Sequence, residues 1–200
     1  MPTLYDFLPS GNGYKARMMM RRLGIAYTYV EKDIMKGETR TPEFLEINPN
    51  GRIPVLVLDD GTALSESDAI IYYLAEGTPW WPDGRLARAQ VLQWMFFEQY
   101  SHETAIAVRR FILHYLPNDP RAGELPALEK KGYAALGVME RRLAGHDWLV
   151  GDNETIADLA LYAYTHMADE AGLDLAGYPG IRKWLERVAS HPAHAPITAQ

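Results

Sequence analysis

Through residue 77 the chain alternates short apolar runs with helix-period stretches. Thr3-Leu4-Tyr5-Asp6-Phe7 and Tyr27-Thr28-Tyr29-Val30 carry the β-branched and aromatic residues of half-buried strands. Val55–Leu58 and a short run around Thr62–Leu64 predict two more, joined by a hairpin-type Asp60-Gly61 turn. A helical pattern follows Pro9-Ser10-Gly11-Asn12-Gly13 and ends at Gly24. Thr41-Pro42 opens another, with Thr41 as N-cap and Pro42 in the first turn. Ser65-Glu66-Ser67-Asp68 opens a third through Ala75. The order is βαβ, helix, ββα, a complete small α/β unit.

The pattern then changes. Gly77-Thr78-Pro79-Trp80-Trp81-Pro82-Asp83-Gly84 is dense in glycine and proline, and strand signals largely disappear beyond it. Arg85–Tyr115 predicts one long helix, Ala127–Leu143 a second, Thr155–Ala168 a third and Ile181–Ala189 a shorter one before a proline-punctuated tail. A loop around Pro117-Asn118-Asp119-Pro120 separates the first two. The expected organisation is an α/β domain over 1–77, a linker at 78–84 and an all-helical domain over 85–200. Ile156–Tyr164 is apolar around most of its circumference, which predicts a buried central helix. Thr155-x-x-Asp158 before it is a capping-box pattern, worth roughly 1 kcal/mol at a buried helix end.

Composition narrows the chemistry. The 200 residues include 48% hydrophobic and 23% charged residues, an ordinary globular balance. No apolar run approaches the ~20 residues of a membrane span and no signal-peptide pattern opens the chain, so a cytoplasmic protein with no membrane association is expected. The net charge of −6 is spread evenly: residues 1–78 carry 8 basic and 11 acidic side chains, and residues 79–200 carry 12 and 15. No basic segment tracks a phosphate backbone, which argues against nucleic acid. There is no cysteine, so a thiol nucleophile must arrive with a ligand. The six histidines are scattered and suggest no metal site.

The stretch with most chemistry is the turn at residues 9–13. Small polar residues between strand and helix leave backbone N–H groups and the positive end of the helix dipole facing outward, a place to hold an anion. One reading is a dinucleotide phosphate, since Gly11-x-Gly13-x-x-Ala16 fits the phosphate-binding fingerprint and Glu31 and Asp33 lie near the distance of a ribose-binding acid. It needs further βα units in order, which the chain does not supply. The other reading is a thiolate carried by a ligand.

The motifs in order resemble the cytosolic glutathione transferases over essentially the whole chain. They are the turn Ser10-Gly11-Asn12-Gly13-Tyr14-Lys15, Thr41-Pro42-Glu43-Phe44-Leu45 with Asn48-Pro49-x-Gly51, Ile53-Pro54, Glu66-Ser67-x-Ala69-Ile70, and the 155–158 capping box. The resemblance implies a thioredoxin-like glutathione-binding domain, then an all-α domain carrying an electrophile pocket against the long helix, in a homodimer. It implies a cis peptide before Pro54, with the Ile53 backbone pairing with the tripeptide. Ser67 takes the γ-glutamyl carboxylate and Glu66 the ammonium group, while Arg40 or Thr39 takes the glycyl carboxylate.

For the sulfur, the serine at position 10 resembles the zeta-class thiolate donor, whereas Asn12-Gly13-Tyr14-Lys15 resembles bacterial nu-type proteins that reduce disulfides with glutathione. Asn12 stands where the zeta class has cysteine, so that class's isomerase activity is not carried over. The expected assignment is Ser10 as lead donor with Asn12 assisting; Tyr5, on the first strand, is a third candidate. Tyr14, Trp94, Phe97 and Tyr115 are candidates for the electrophile pocket. The expected activity is addition of glutathione, as co-substrate and with no metal, to small hydrophobic electrophiles. The alternatives are a nu-like disulfide reductase and a non-catalytic glutathione-binding scaffold.

Overall fold

In strand β1 (Thr3–Asp6) half-buried and buried positions alternate, with Leu4 and Asp6 facing inward, as period-two side-chain placement requires of a strand with one covered face. In the computed structural model, which describes residues 1–116 and 118–200, β1 is one of the two inner strands of a four-stranded sheet. Strand β2 (Thr28–Glu31) pairs with it in parallel, β3 (Val55–Val57) antiparallel, and β4 (Ala63–Ser65) antiparallel to β3. A parallel pair needs a crossover, and helix α1 (Gly11–Leu23) supplies it.

This mixed sheet overturns the dinucleotide reading. Two of its three pairings are antiparallel, whereas the dinucleotide fold is built on parallel βαβ units. Glu31 accepts the Leu8 N–H at 3.2 Å and the Tyr29 hydroxyl, and Asp33 caps the short 3₁₀ turn Ile34–Lys36. Gly13 is glycine for a local reason: a Cβ there would lie 1.6 Å from Asp6 Oδ1.

Helix α1 starts at Ser10, whose Oγ accepts the Gly13 N–H, and stops at Gly24 with φ of 65°, a left-handed position that suits glycine. It is buried on several faces, Met18, Met19 and Met20 included. Leu4, Ala16, Met20, Leu56 and Ile70 form the core, with Ile25, Tyr27 and Leu64 among the residues packed on it. Helix α2 (Pro42–Ile47) is capped by Thr41 and buries Phe44. Helix α3 (Ser67–Ala75) starts after Glu66, because β4 extends through Ser65.

The helical unit is organised by α4 (Arg85–Phe97) and α5 (Glu103–Tyr115), which continue through a π-helical segment, Glu98–His102, as the expected single long rod. That segment buries Glu98 and His102, and the His102 ring nitrogen Nε2 lies 2.8 Å from the Thr165 hydroxyl. After a 3₁₀ turn (Pro120–Glu124), α6 (Leu125–Leu143) starts two residues earlier than expected. Pro117, in the expected loop, lies outside the described residues. Every residue of α7 (Ile156–Thr165) is buried, the central helix the sequence predicts. Helix α8 (Pro179–Ala189) buries Ile181, Trp184 and Val188 at i, i+3 and i+7.

Thr155 and Asp158 form the capping box of α7, and Asp158 does more than cap. Its Oδ2 accepts the Thr155 N–H (2.9 Å) and hydroxyl (3.1 Å), while Oδ1 accepts the Leu149 N–H (3.0 Å) and the Trp184 indole N–H (2.9 Å). One fully buried carboxylate thus ties α7 to α8 and to the loop before it.

The chain divides into Met1–Gly77 with Pro192–Gln200, and Thr78–His191. This departs from the expected boundaries at both ends of the helical domain. The segment expected as a linker packs within the helical unit: the Ile156 N–H donates to the Trp80 carbonyl (3.2 Å), Trp80 Nε1 donates to Glu154 (3.2 Å), and Trp81 is buried. The tail, expected to belong with the helices, joins the α/β unit through side chains of α1. Among the described residues no helix is long and apolar enough to cross a membrane.

Candidate active site

The α/β unit brings two helix starts to one place. At the first, Ser10 Oγ accepts the Gly13 N–H at 3.4 Å, which leaves the Ser10 O–H as a donor that no described residue accepts. At the second, Glu66 precedes α3 with φ of 69°, an uncommon conformation for a residue with a side chain, and makes no side-chain cap. The first N–H groups of an α-helix have no partner inside the helix, so an uncapped start favours an anion.

Side chains join the two starts. Ser67 Oγ donates to Asn12 Oδ1 at 3.1 Å and accepts from Lys15 Nζ at 3.3 Å, and Lys15 pairs with Asp68 at 3.1 Å. Lys15 is fully buried and Ser67 nearly so. With its carbonyl end facing Ser67, Asn12 has its amide NH₂ as the donor end of the side chain. The Lys15 ammonium adds fixed positive charge to the positive end of the α3 dipole, where a carboxylate would sit. Sequence reasoning left Lys15 without a role. The signal for it was a lysine amid Tyr14, Ala16 and Met18 on a helix that has to be buried.

The Ile53–Pro54 peptide, which is cis, leads into β3, where Val55 pairs with Ser65 two residues before the start of α3. The loop before it is anchored by Asn48, whose Nδ2 donates to the Arg52 carbonyl at 2.8 Å. Arg40 Nη1 donates to the Asn50 carbonyl at 3.0 Å, so its guanidinium already braces this loop, and Thr39 next to it is buried. Tyr5 is half-buried and packs edge-on against Phe44, with Lys32 over its ring, in the contact between β1 and α2.

Of the four electrophile-pocket candidates, Tyr14 lies in the α/β unit and Trp94, Phe97 and Tyr115 lie on the α4–α5 rod. Tyr14 is fully buried in the α/β unit, and its hydroxyl donates to the Ala195 carbonyl at 2.6 Å. Trp94 and Phe97 form a half-buried edge-to-face pair with centroids 5.4 Å apart. Tyr115 packs on Phe111, at the far end of the same rod. At 1.5 Å per residue, Phe97 and Tyr115 stand about 27 Å apart along the axis, too far to line one small-molecule pocket.

Under the turn is a buried ion pair. Asp6 Oδ2 lies 3.0 Å from Arg17 Nε, with both side chains fully buried. Burial pushes the Asp6 carboxyl up to about 7, against the pull of Arg17 and of the Phe7 N–H it accepts. Among the described residues no cluster of three or more His, Asp or Glu could hold a metal ion.

Residues 9–76 match the glutathione S-transferase N-terminal domain family, and residues 100–192 match the glutathione S-transferase C-terminal domain family. The chain belongs to the glutathione S-transferase family. The crystal structure of a glutathione S-transferase from Pseudomonas fluorescens [Pf-5] superposes with a TM-score of 0.96 at 52% identity, covering 99% of both chains. Disulfide-bond oxidoreductase YfcG of Escherichia coli (strain K12) is 34% identical, over 94% of this chain and 90% of its own length. The structure of Ure2p in complex with glutathione superposes with a TM-score of 0.86 at 30% identity, covering 96% of this chain and 95% of that one. As a glutathione S-transferase this chain has the expected architecture, a small mixed sheet with its helices followed by a helical domain.

Proposed function

We propose that the α/β unit binds glutathione, with its γ-glutamyl carboxylate at the start of α3 and its sulfur at the start of α1, and that it stabilises the thiolate for transfer to small hydrophobic electrophiles. The observation that carries this reading is the pair of helix starts joined through Asn12, Ser67 and Lys15. Ser67 and the first N–H groups of α3 receive the carboxylate, Glu66 the ammonium group, the Ile53 backbone the peptide, and Arg40 the glycyl end. Ser10 donates its hydroxyl to the sulfur, Asn12 adds its amide, and the α1 dipole adds a fixed field.

A free thiol titrates near pH 8.5, so only a few per cent is thiolate at pH 7. Lowering that by two units takes about 2.7 kcal/mol of preference for the anion, within reach of two or three donors to a charged sulfur. The thiolate then attacks an electrophilic carbon. The S–C bond forms, and the electron pair leaves with a halide or resides on an opened epoxide oxygen that takes up a proton. Trp94 and Phe97 are the apolar acceptor candidates that remain. A homodimer in the cytoplasm belongs to the same reading.

A second reading is favoured by the Asn12–Lys15 turn and by the similarity to YfcG. Here the thiolate attacks a disulfide sulfur and displaces a thiolate. A second glutathione resolves the mixed disulfide, giving oxidised glutathione. Both readings share the thiolate step, so one variant series tests both. Ser10→Ala is expected to lower turnover about 10–100-fold with a smaller change in glutathione affinity, and Asn12→Ala less. Activity spared in Ser10→Ala but abolished in Asn12→Ala reverses the roles. Turnover of a hydroxyalkyl disulfide with none of an aryl halide or epoxide selects the second reading. Turnover of neither, with glutathione still bound, leaves a binding scaffold.

A further inference from the structure

After α8 the chain returns to the α/β unit and lies along one face of α1. Tyr14 Oη donates to the Ala195 carbonyl at 2.6 Å, and Arg17 Nη1 donates to the carbonyls of Ile197 (2.6 Å) and Ala199 (2.9 Å). Arg21 Nη2 donates to the Gln200 carbonyl at 2.6 Å. Residues 14, 17 and 21 recur at helical spacing on one face. Burial alternates along the tail: Ala195, Ile197 and Ala199 are half-buried while Pro196, Thr198 and Gln200 are exposed, and a turn closed by the Ala199 N–H on the Pro196 carbonyl (2.9 Å) brings Ile197 and Ala199 onto the same guanidinium. Residues 193–200 lie beyond the segments matched by either family domain.

The other side of the Arg17 guanidinium faces the site. Its Nη2 donates to the Leu8 carbonyl at 2.6 Å, its Nε lies against Asp6, and its Cζ sits 5.4 Å from the Tyr14 ring centroid. Leu8 begins the turn that carries Ser10 and Asn12. The Ser10 N–H donates to the Phe7 carbonyl at 2.7 Å, and the Phe7 N–H donates to Asp6 Oδ1 at 2.7 Å. One buried, planar five-donor group therefore grips the tail at one end and the turn at the other.

We propose that residues 192–200 are a working part of the glutathione site: a strap that acts through Arg17, as a positioning residue, to hold the turn Leu8–Gly13 in the geometry that places the Ser10 and Asn12 donors at the sulfur. The proposal rests on the thiolate reading above. Without the strap, Arg17 loses two carbonyl acceptors inside the protein, and a buried guanidinium cannot stay where its donors are unmet. It turns toward water and releases Leu8. The Ser10 and Asn12 donors then lose their fixed aim, which costs stabilisation of the thiolate more than binding of the tripeptide.

The test uses the full chain, its Ile197→Asp variant, which makes a half-buried strap position anionic, and a chain ending at His191. Two quantities are read: amide hydrogen exchange of residues 8–14, and the titration of bound glutathione by thiolate absorbance. In Ile197→Asp, exchange at 8–14 is expected to rise about tenfold while β3 and β4 amides keep their protection. The bound thiol is expected to titrate about one unit higher, with kcat falling more than KM rises. The shortened chain is expected to show the same changes in larger measure. If it loses protection throughout the sheet, Ile197→Asp alone decides. Unchanged exchange at 8–14 in Ile197→Asp, when exchange at 195–200 shows the tail released, overturns the proposal. So does raised exchange at 8–14 with an unchanged thiol titration. A full chain that binds no glutathione removes the thiolate reading and with it the strap's role at the site. The exchange arm still reports whether the strap holds the turn.

Discussion

Asp158→Ala is expected to lower the unfolding free energy by about 4 kcal/mol, since it leaves the buried N–H groups of Leu149, Thr155 and Trp184 without their acceptor at about 1–3 kcal/mol each and removes a helix cap worth about 1, terms that do not fully add. Thermal unfolding should shift down by roughly 10 °C, read by calorimetry. Asp158→Asn keeps one acceptor oxygen and should recover part of the loss. The same residue gives stability a pH dependence of predictable sign. Burial pushes the Asp158 carboxyl up to about 6, while the Leu149, Thr155 and Trp184 donors hold it down. Its folded value lies above the ordinary carboxyl value of 3.8, so the native state binds the extra proton between those limits. Its contribution is therefore fully present below pH 4 and is lost as pH rises through 6, by on the order of 3 kcal/mol. Asp6, raised to about 7, adds a loss of the same sign extending to pH 7. The half-buried Asp33 and the exposed Glu43 and Asp60 are held low by local hydrogen bonds and slope the other way, weakly because water screens them. Urea unfolding from pH 4 to 7 should show the decline, and Asp158→Asn should flatten its lower half.

Gly13→Ala is expected to cost about as much and to abolish glutathione binding as well. The added methyl would lie 1.6 Å from Asp6 Oδ1. Asp6 cannot swing aside, because it is fully buried, accepts the Phe7 N–H at 2.7 Å and faces Arg17. Either the first turn of α1 moves off the sheet or the buried pair separates, and separating such a pair costs about 3–5 kcal/mol. Both routes displace the Ser10 cap and the Asn12 side chain. Gly24→Ala is the contrast. It meets nothing within 4 Å and pays only for φ of 65°, about 1 kcal/mol, with binding intact. Chemical denaturation of the two variants beside a glutathione titration separates the cases.

What the sequence makes legible is what neighbours in the chain decide. The Gly24 stop of α1 and the Thr155–Asp158 box are contacts within a helical turn, so residue identity at fixed offsets is enough; the start of α1, expected after Gly13, comes earlier, at Gly11 with Ser10 as its cap. The single rod from Arg85 to Tyr115 and the buried α7 follow from periodicity. The missed features join distant segments. Lys15 meets Asp68 across 53 positions, and Tyr14 meets Ala195 across 181. Tyr14 reads as an accessible aromatic in a polar turn, yet the tail covers it. Asp158 reads as a cap, while its bond to Trp184 spans 26 positions and cannot be inferred from a pattern of three. Tyr115 fails as a partner of Phe97 for a geometric reason that the helix prediction already contains.

Calorimetric titration of this glutathione S-transferase with glutathione near pH 7, in buffers of different ionisation enthalpy, tests whether the site selects the thiolate form. A thiol mostly protonated in solution and mostly ionised when bound must release its proton to the buffer. The apparent binding enthalpy is expected to vary with buffer ionisation enthalpy at a slope of about 0.7 proton released per glutathione for a two-unit lowering of the thiol, and Ser10→Ala is expected to reduce the slope. Glutathione binding with a slope of zero would contradict thiolate selection, and no binding at all would remove the site.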